Sequence, residues 1–164
     1  MASNLRPMRV LAIVISMSLC ATHVRAADDA GRIGHWVFQP GDVINRVVVD
    51  RVTKQPATIH GDVAMWREGK ATALTLDGRT HHVTVADPHT EAALPTRAFS
   101  VEVWVRMDAA PDWGGFVCVV QDNGNYEKGW LLGSHKNQFT FALSTKGADD
   151  GDGVLTYLTS DATF

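Results

Sequence analysis

Phe99-Ser100-Val101-Glu102-Val103-Trp104-Val105-Arg106-Met107 alternates apolar and polar side chains without a break, and a period of two belongs to an extended strand. Phe99, Val101, Val103, Val105 and Met107 fall on one face, which the pattern assigns to the core. Ser100, Glu102, Trp104 and Arg106 fall on the other, wetter face. The same kind of signal recurs on both sides. Upstream, Trp36 and Phe38 alternate within His35 to Gln39, and Ile44 to Val52 is an apolar run centred on Val47-Val48-Val49. A polar connection follows, Thr53-Lys54-Gln55-Pro56. Ala73 to Leu76 and His82 to Val85 flank Asp77-Gly78, whose glycine accepts a positive φ, so these two segments are expected to form a hairpin with a loop longer than two residues. Downstream, Phe116 to Val120 is a short apolar run of the kind covered on both faces, followed by Trp130 to Leu132, Gln138 to Leu143 and Val154 to Thr159. No segment keeps apolar residues at helical spacing for long. Many short strands with turns between them predict an all-β fold, an antiparallel β-sandwich or jelly roll.

The first residues read differently. Arg6 and Arg9 precede an apolar run, Val10 to Leu19, and Val24-Arg25-Ala26 places small residues at cleavage positions. That pattern predicts a secretory signal peptide over residues 1–26, cleaved after Ala26, and a secreted location, periplasmic or extracellular. A run of about ten residues is too short to span a bilayer, so no membrane span is expected. Without Arg6, Arg9 and Arg25, 12 basic residues face 18 acidic ones, and the formal charge moves from −3 to −6. Such a surface disfavours nucleic acid as a partner. Residues 27–164 are enough for one domain with its own core. Of the two cysteines only Cys118 stays, in an apolar run, where it reads as a small buried hydrophobe and not a nucleophile.

With its strands in this order, the chain resembles the laminin-G-like family of the concanavalin A-like lectin/glucanase superfamily, pentraxins included, over most of residues 34–164. The resemblance rests on several motifs in order. The aromatic opening strand is His35-Trp36-Val37-Phe38; Asp50 precedes a polar turn, and Thr58-Ile59-His60-Gly61 follows. Next comes Ala73-Leu74-Thr75-Leu76-Asp77-Gly78. The family's Phe-Ser/Thr-x-x-x-Trp-Val strand stands here as Phe99 to Val105. His82 occupies a position where family members commonly carry tyrosine. The family's later strands would lie beyond Phe164, so the sandwich is expected to be incomplete at its C-terminus, the first part of a larger bacterial-type secreted protein.

The resemblance implies a non-catalytic adhesion or accessory module that binds a glycan or an extracellular protein. Its alternative is an N-terminal accessory domain of a secreted hydrolase whose catalytic domain lies beyond residue 164. No paired carboxylates of glycosidase spacing occur: Glu102 has Ser100 and Trp104 as same-face neighbours and Arg106 as the nearest charge, so it reads as solvated. Calcium is the cofactor the resemblance implies, with Asp122 and Asn123 placed like a pentraxin calcium pair; Asp149, Asp150 and Asp152 are a denser acidic loop. The seven histidines are scattered, and adjacent His81 and His82 would point to opposite faces of a strand, so no zinc site is expected. Sugar recognition uses exposed aromatic rings, and Trp113 and Tyr126 are expected in loops where a ring can face solvent. Trp36 and Trp104, in strands, are expected in the core; Trp66 and Trp130 are open.

Overall fold

The computed structural model describes residues 10–18, 31–85, 98–109, 111–122, 127–144 and 155–164, with the backbone alone for 10–18, 121, 122 and 127. The chain divides into two units, Met1–Asp108 and Ala109–Phe164. Every described element of regular structure is a strand and every pairing is antiparallel, the all-β class expected from the period-two pattern.

Among the described residues the first unit holds nine strands: β1 (Val10–Ser18), β2 (Arg32–Val37), β3 (Val43–Ile44), β4 (Val47–Val49), β5 (Pro56–His60), β6 (Ala64–Glu68), β7 (Ala71–Leu76), β8 (His82–Thr84) and β9 (Ser100–Met107). They form two sheets. One runs β2-β1-β7-β6 with β9 also paired to β1, and the other runs β3-β4-β5-β8. Trp36, Phe38, Ala73 and Leu74 are buried from the first sheet and the segment after β2, and Val48, Ala57 and Ile59 from the second.

A buried carboxylate fastens the two sheets together. Asp50 is 1% exposed; it accepts the His35 N–H at 2.7 Å, the Val52 N–H at 2.9 Å and the Thr53 hydroxyl at 2.5 Å. The Arg51 N–H in turn reaches the His35 carbonyl at 2.8 Å, so β2 is bonded to the turn between β4 and β5 in both directions. A buried charge is tolerated only when its lone pairs find donors, and this one has three.

Three sequence expectations are corrected here. The run from Ile44 to Val52 is not one strand: Asn45 and Arg46 have φ of 51° and 63°, and they close a two-residue hairpin between β3 and β4. Positive φ at both central residues matches the right-handed twist of the paired strands. Ala73–Leu76 and His82–Val85 do not form a hairpin, because β7 pairs with β6 and β1 while β8 pairs with β5 in the other sheet. The reason lies in Asp77, whose carboxylate accepts the N–H groups of Arg79, Thr80 and His81 and the Thr80 hydroxyl. These bonds wrap the chain around one side chain and carry it from one sheet to the other. They also hold the Asp77 carboxyl well below the usual carboxylate range, the His81 N–H contributing most. Third, Trp104 is 51% exposed and not in the core; it obeys the alternation of β9, in which Val101, Val103, Val105 and Met107 are the half-buried positions. Trp36 is buried as expected.

The second unit is one meander, β10 (Trp113–Asp122), β11 (Glu127–His135), β12 (Gln138–Leu143) and β13 (Thr156–Thr163), paired in that order. Val117, Trp130, Ala142 and Leu155 are its buried apolar residues. The continuous apolar run of β10 is less covered than expected, since Cys118 is exposed. It is therefore not the buried hydrophobe the sequence suggested, although enough protein surrounds its sulfur to push the thiol above its ordinary pKa.

Candidate functional site

The aromatic cluster on the second unit is set up by two backbone devices. Lys136 and Asn137, with φ of 48° and 65°, form a two-residue turn that pairs His135 directly with Gln138. Between β10 and β11 a register shift falls at Gly115/Val117, leaving Phe116 unpaired and setting Trp113 opposite His135. Gly133 is required at this point because a Cβ there would strike the Gly114 carbonyl oxygen. The Lys136 N–H also bonds the Asp112 carbonyl at 3.1 Å, closing that end of the sheet.

The consequence is a ring stack. Trp113 and His135 lie nearly parallel, with centroids 3.6 Å apart and 10° between planes. Tyr157 from β13 meets Trp113 edge-on at 5.4 Å and 64°. Register places Trp113, His135 and Gln138 in one row, and Tyr157 opposite Ala142 in another row on the same face. The positions between, Thr140 and Ala142, are small and buried. Trp113 stays 55% exposed and Tyr157 37% exposed despite these contacts. Asp112, Lys136 and Asn137, the chain neighbours of Trp113 and His135, are exposed. That arrangement suits a ligand with one apolar face and a rim of hydrogen-bonding groups.

Trp113 is thus exposed as expected, but it opens strand β10 and does not lie in a loop. Asn123 and Tyr126 lie outside the described residues, as do Asp149, Asp150 and Asp152; for Asp122 only the backbone is described, at the end of β10 opposite Glu127. The calcium expectation falls on those positions. Among the described residues no three His, Cys, Asp or Glu side chains gather as a metal site. Glu102 is exposed on β9. The neighbouring Arg106 turns to other carboxylates, Asp108 at 3.7 Å and Glu68 at 4.0 Å, and lies 4.8 Å from the Trp66 ring centroid.

Two groupings escaped the sequence reading. His135 was one of several scattered histidines, and nothing local to it announces Trp113 as its partner. His60 and His82 are cross-strand partners on β5 and β8, their rings stacked at 4.3 Å and 9°, with the Thr84 hydroxyl 3.1 Å from His60 Nε2. Both pairs are products of strand register, which the residues alone leave open.

A laminin-G family model described as the concanavalin A-like lectin/glucanases superfamily matches residues 52–163. No curated protein and no solved structure matches.

Proposed function

Since the chain belongs to the concanavalin A-like lectin/glucanases superfamily, whose laminin-G-like members are binding modules, we propose that it is a non-catalytic module that binds carbohydrate at the Trp113 platform. The observation that carries this reading is a tryptophan stacked on a histidine yet more than half exposed, with the exposed polar residues Asp112, Lys136 and Asn137 next to the pair in the chain. An aromatic ring left open to water and braced by a stacked neighbour gives contact area at reduced entropic cost. The same reading includes export of the chain by its N-terminal leader and calcium held at Asp122 and Asn123, beyond the other end of β10.

Screening the purified chain on a glycan array, followed by calorimetry with the best oligosaccharide, tests it. A central tryptophan in a binding site contributes about 2 kcal/mol, so Trp113→Ala should weaken binding roughly thirtyfold while the unfolding curve stays in place. His135→Ala should weaken binding less, by releasing the ring without removing it. Equal affinity of wild type and Trp113→Ala would remove this site from consideration. For calcium, titrating CaCl2 while following the thermal midpoint should raise it, and Asp122→Asn should abolish the rise.

A further inference from the structure

The apolar run that reads as the core of a leader occupies a central place in the first unit. Val10–Ser18 is bonded on both edges: Val10–Ala12 pair with Leu74–Leu76 of β7, Val14–Ser18 pair with β2, and the opposite edge pairs with β9 from Met107 to Ser100. Among the described residues β9 has no other ladder partner, and β2 reaches β7 only through β1. Taking β1 out of the sheet would leave three separate pieces, β2, β9 and the β6–β7 hairpin. The near-continuous apolar sequence Val10-Leu11-Ala12-Ile13-Val14-Ile15, rich in β-branched residues, is what an interior strand covered on both faces needs. Val101, Val103, Val105 and Met107 of β9 also present an apolar face that would lose its sheet neighbour. The side chain of Arg106 still reaches Glu68 and Trp66, but as an exposed contact it replaces no backbone hydrogen bond.

We propose that the space between β9 and the β2/β7 edge is a strand-accepting slot, and that Val10–Ser18 is the strand that fills it. The segment then has two exclusive states, because nine residues laid into a sheet cannot at the same time be engaged as an export signal. Folding of the first unit and use of the leader compete for the same backbone groups.

The test uses the full chain with a protease recognition sequence inserted between Ala27 and Asp28. After cutting, the N-terminal fragment should co-elute with the remainder in size-exclusion chromatography and separate only in denaturant, with the thermal midpoint unchanged within a few degrees. A second variant, Ile15→Pro, removes an N–H from the middle of β1 and should release the fragment on cutting. A labelled peptide of residues 10–18 added to that cut variant should then bind, and the same peptide carrying the proline should not. Release of the wild-type fragment with the transition intact at the same midpoint overturns it.

Discussion

Asp50→Ala removes the acceptor that joins the two sheets of the first unit, and its cost follows from what is left behind. The carboxylate is 1% exposed and takes three donors, two of them backbone N–H groups with no freedom to turn elsewhere. A hydrogen bond to a charged group contributes about 1.5–3 kcal/mol, and these three share one carboxylate, so their sum is an overestimate. The Thr53 hydroxyl can rotate toward water; the His35 and Val52 N–H groups cannot. About 3–5 kcal/mol is the expected loss for alanine, the range for breaking a buried charged partnership. Asparagine tells more. Both backbone N–H groups already converge on Oδ1, so an amide oxygen can keep them as neutral hydrogen bonds, and only the contact with Thr53 changes partner atom. Asp50→Asn should therefore cost about 1–2 kcal/mol, the lost charge assistance without an orphaned donor. In a chain of this size each kcal/mol moves the midpoint by about 2–4 °C, so the alanine variant should melt about 10 °C lower and the asparagine variant about 4 °C lower. Urea unfolding followed by the fluorescence of buried Trp36 gives the free energies with the slope as a check on the unfolded state. An alanine variant within 1 kcal/mol of wild type, or an asparagine variant as damaged as alanine, would refute the account of Asp50 as a doubly anchored acceptor.

Other consequences are as direct. Asp77 has its carboxyl pKa lowered on folding, so its contribution is complete above the ordinary carboxylate pKa and disappears as pH falls toward the lowered value; Asp77→Asn should flatten the acid limb of a stability–pH curve. Gly61 has φ of 92°, and a Cβ there would run into the His81 ring, so Gly61→Ala should cost about 1–3 kcal/mol, only part of it recovered by adding His81→Ala. Cys118 is exposed, yet desolvation raises its thiol pKa, so its rate of alkylation should level off at a higher pH than that of an ordinary cysteine; a plateau at or below the ordinary one would contradict the partial desolvation of its sulfur.

The legible part of the fold is the part that depends on period two. Phe99 to Met107 declares both its faces, and the structure keeps Val101, Val103, Val105 and Met107 inward and Ser100, Glu102, Trp104 and Arg106 outward. Trp36 and Phe38 likewise fall inside. What fails is pairing. Asp77-Gly78 signals a turn correctly, but three N–H groups folded onto one carboxylate send the chain into another sheet, and no local residue says which strand waits there. Asn45-Arg46 carries no turn signal as strong as Asn-Gly or Asp-Gly, because arginine seldom adopts a left-handed conformation, yet β3 and β4 reverse there. Val10–Ser18 is apolar enough for either a leader or an interior strand, so its own composition does not separate the two.

The candidate site shows the same division at higher resolution. Trp113 could be picked out as an aromatic residue near glycine and proline, yet its usefulness depends on His135 standing opposite it, and that depends on Phe116 being left out of the ladder and on Lys136 and Asn137 accepting positive φ. Were Phe116 paired, every residue of β10 before it would move by one position and Trp113 would turn to the other face of the sheet. There it would join the side on which Phe139 already meets Phe116 and Phe164. One unpaired residue thus decides which rings Trp113 meets. Exposed aromatic area by itself is therefore a poor guide to the ligand in this fold, and the bulge beside Phe116 is a better one.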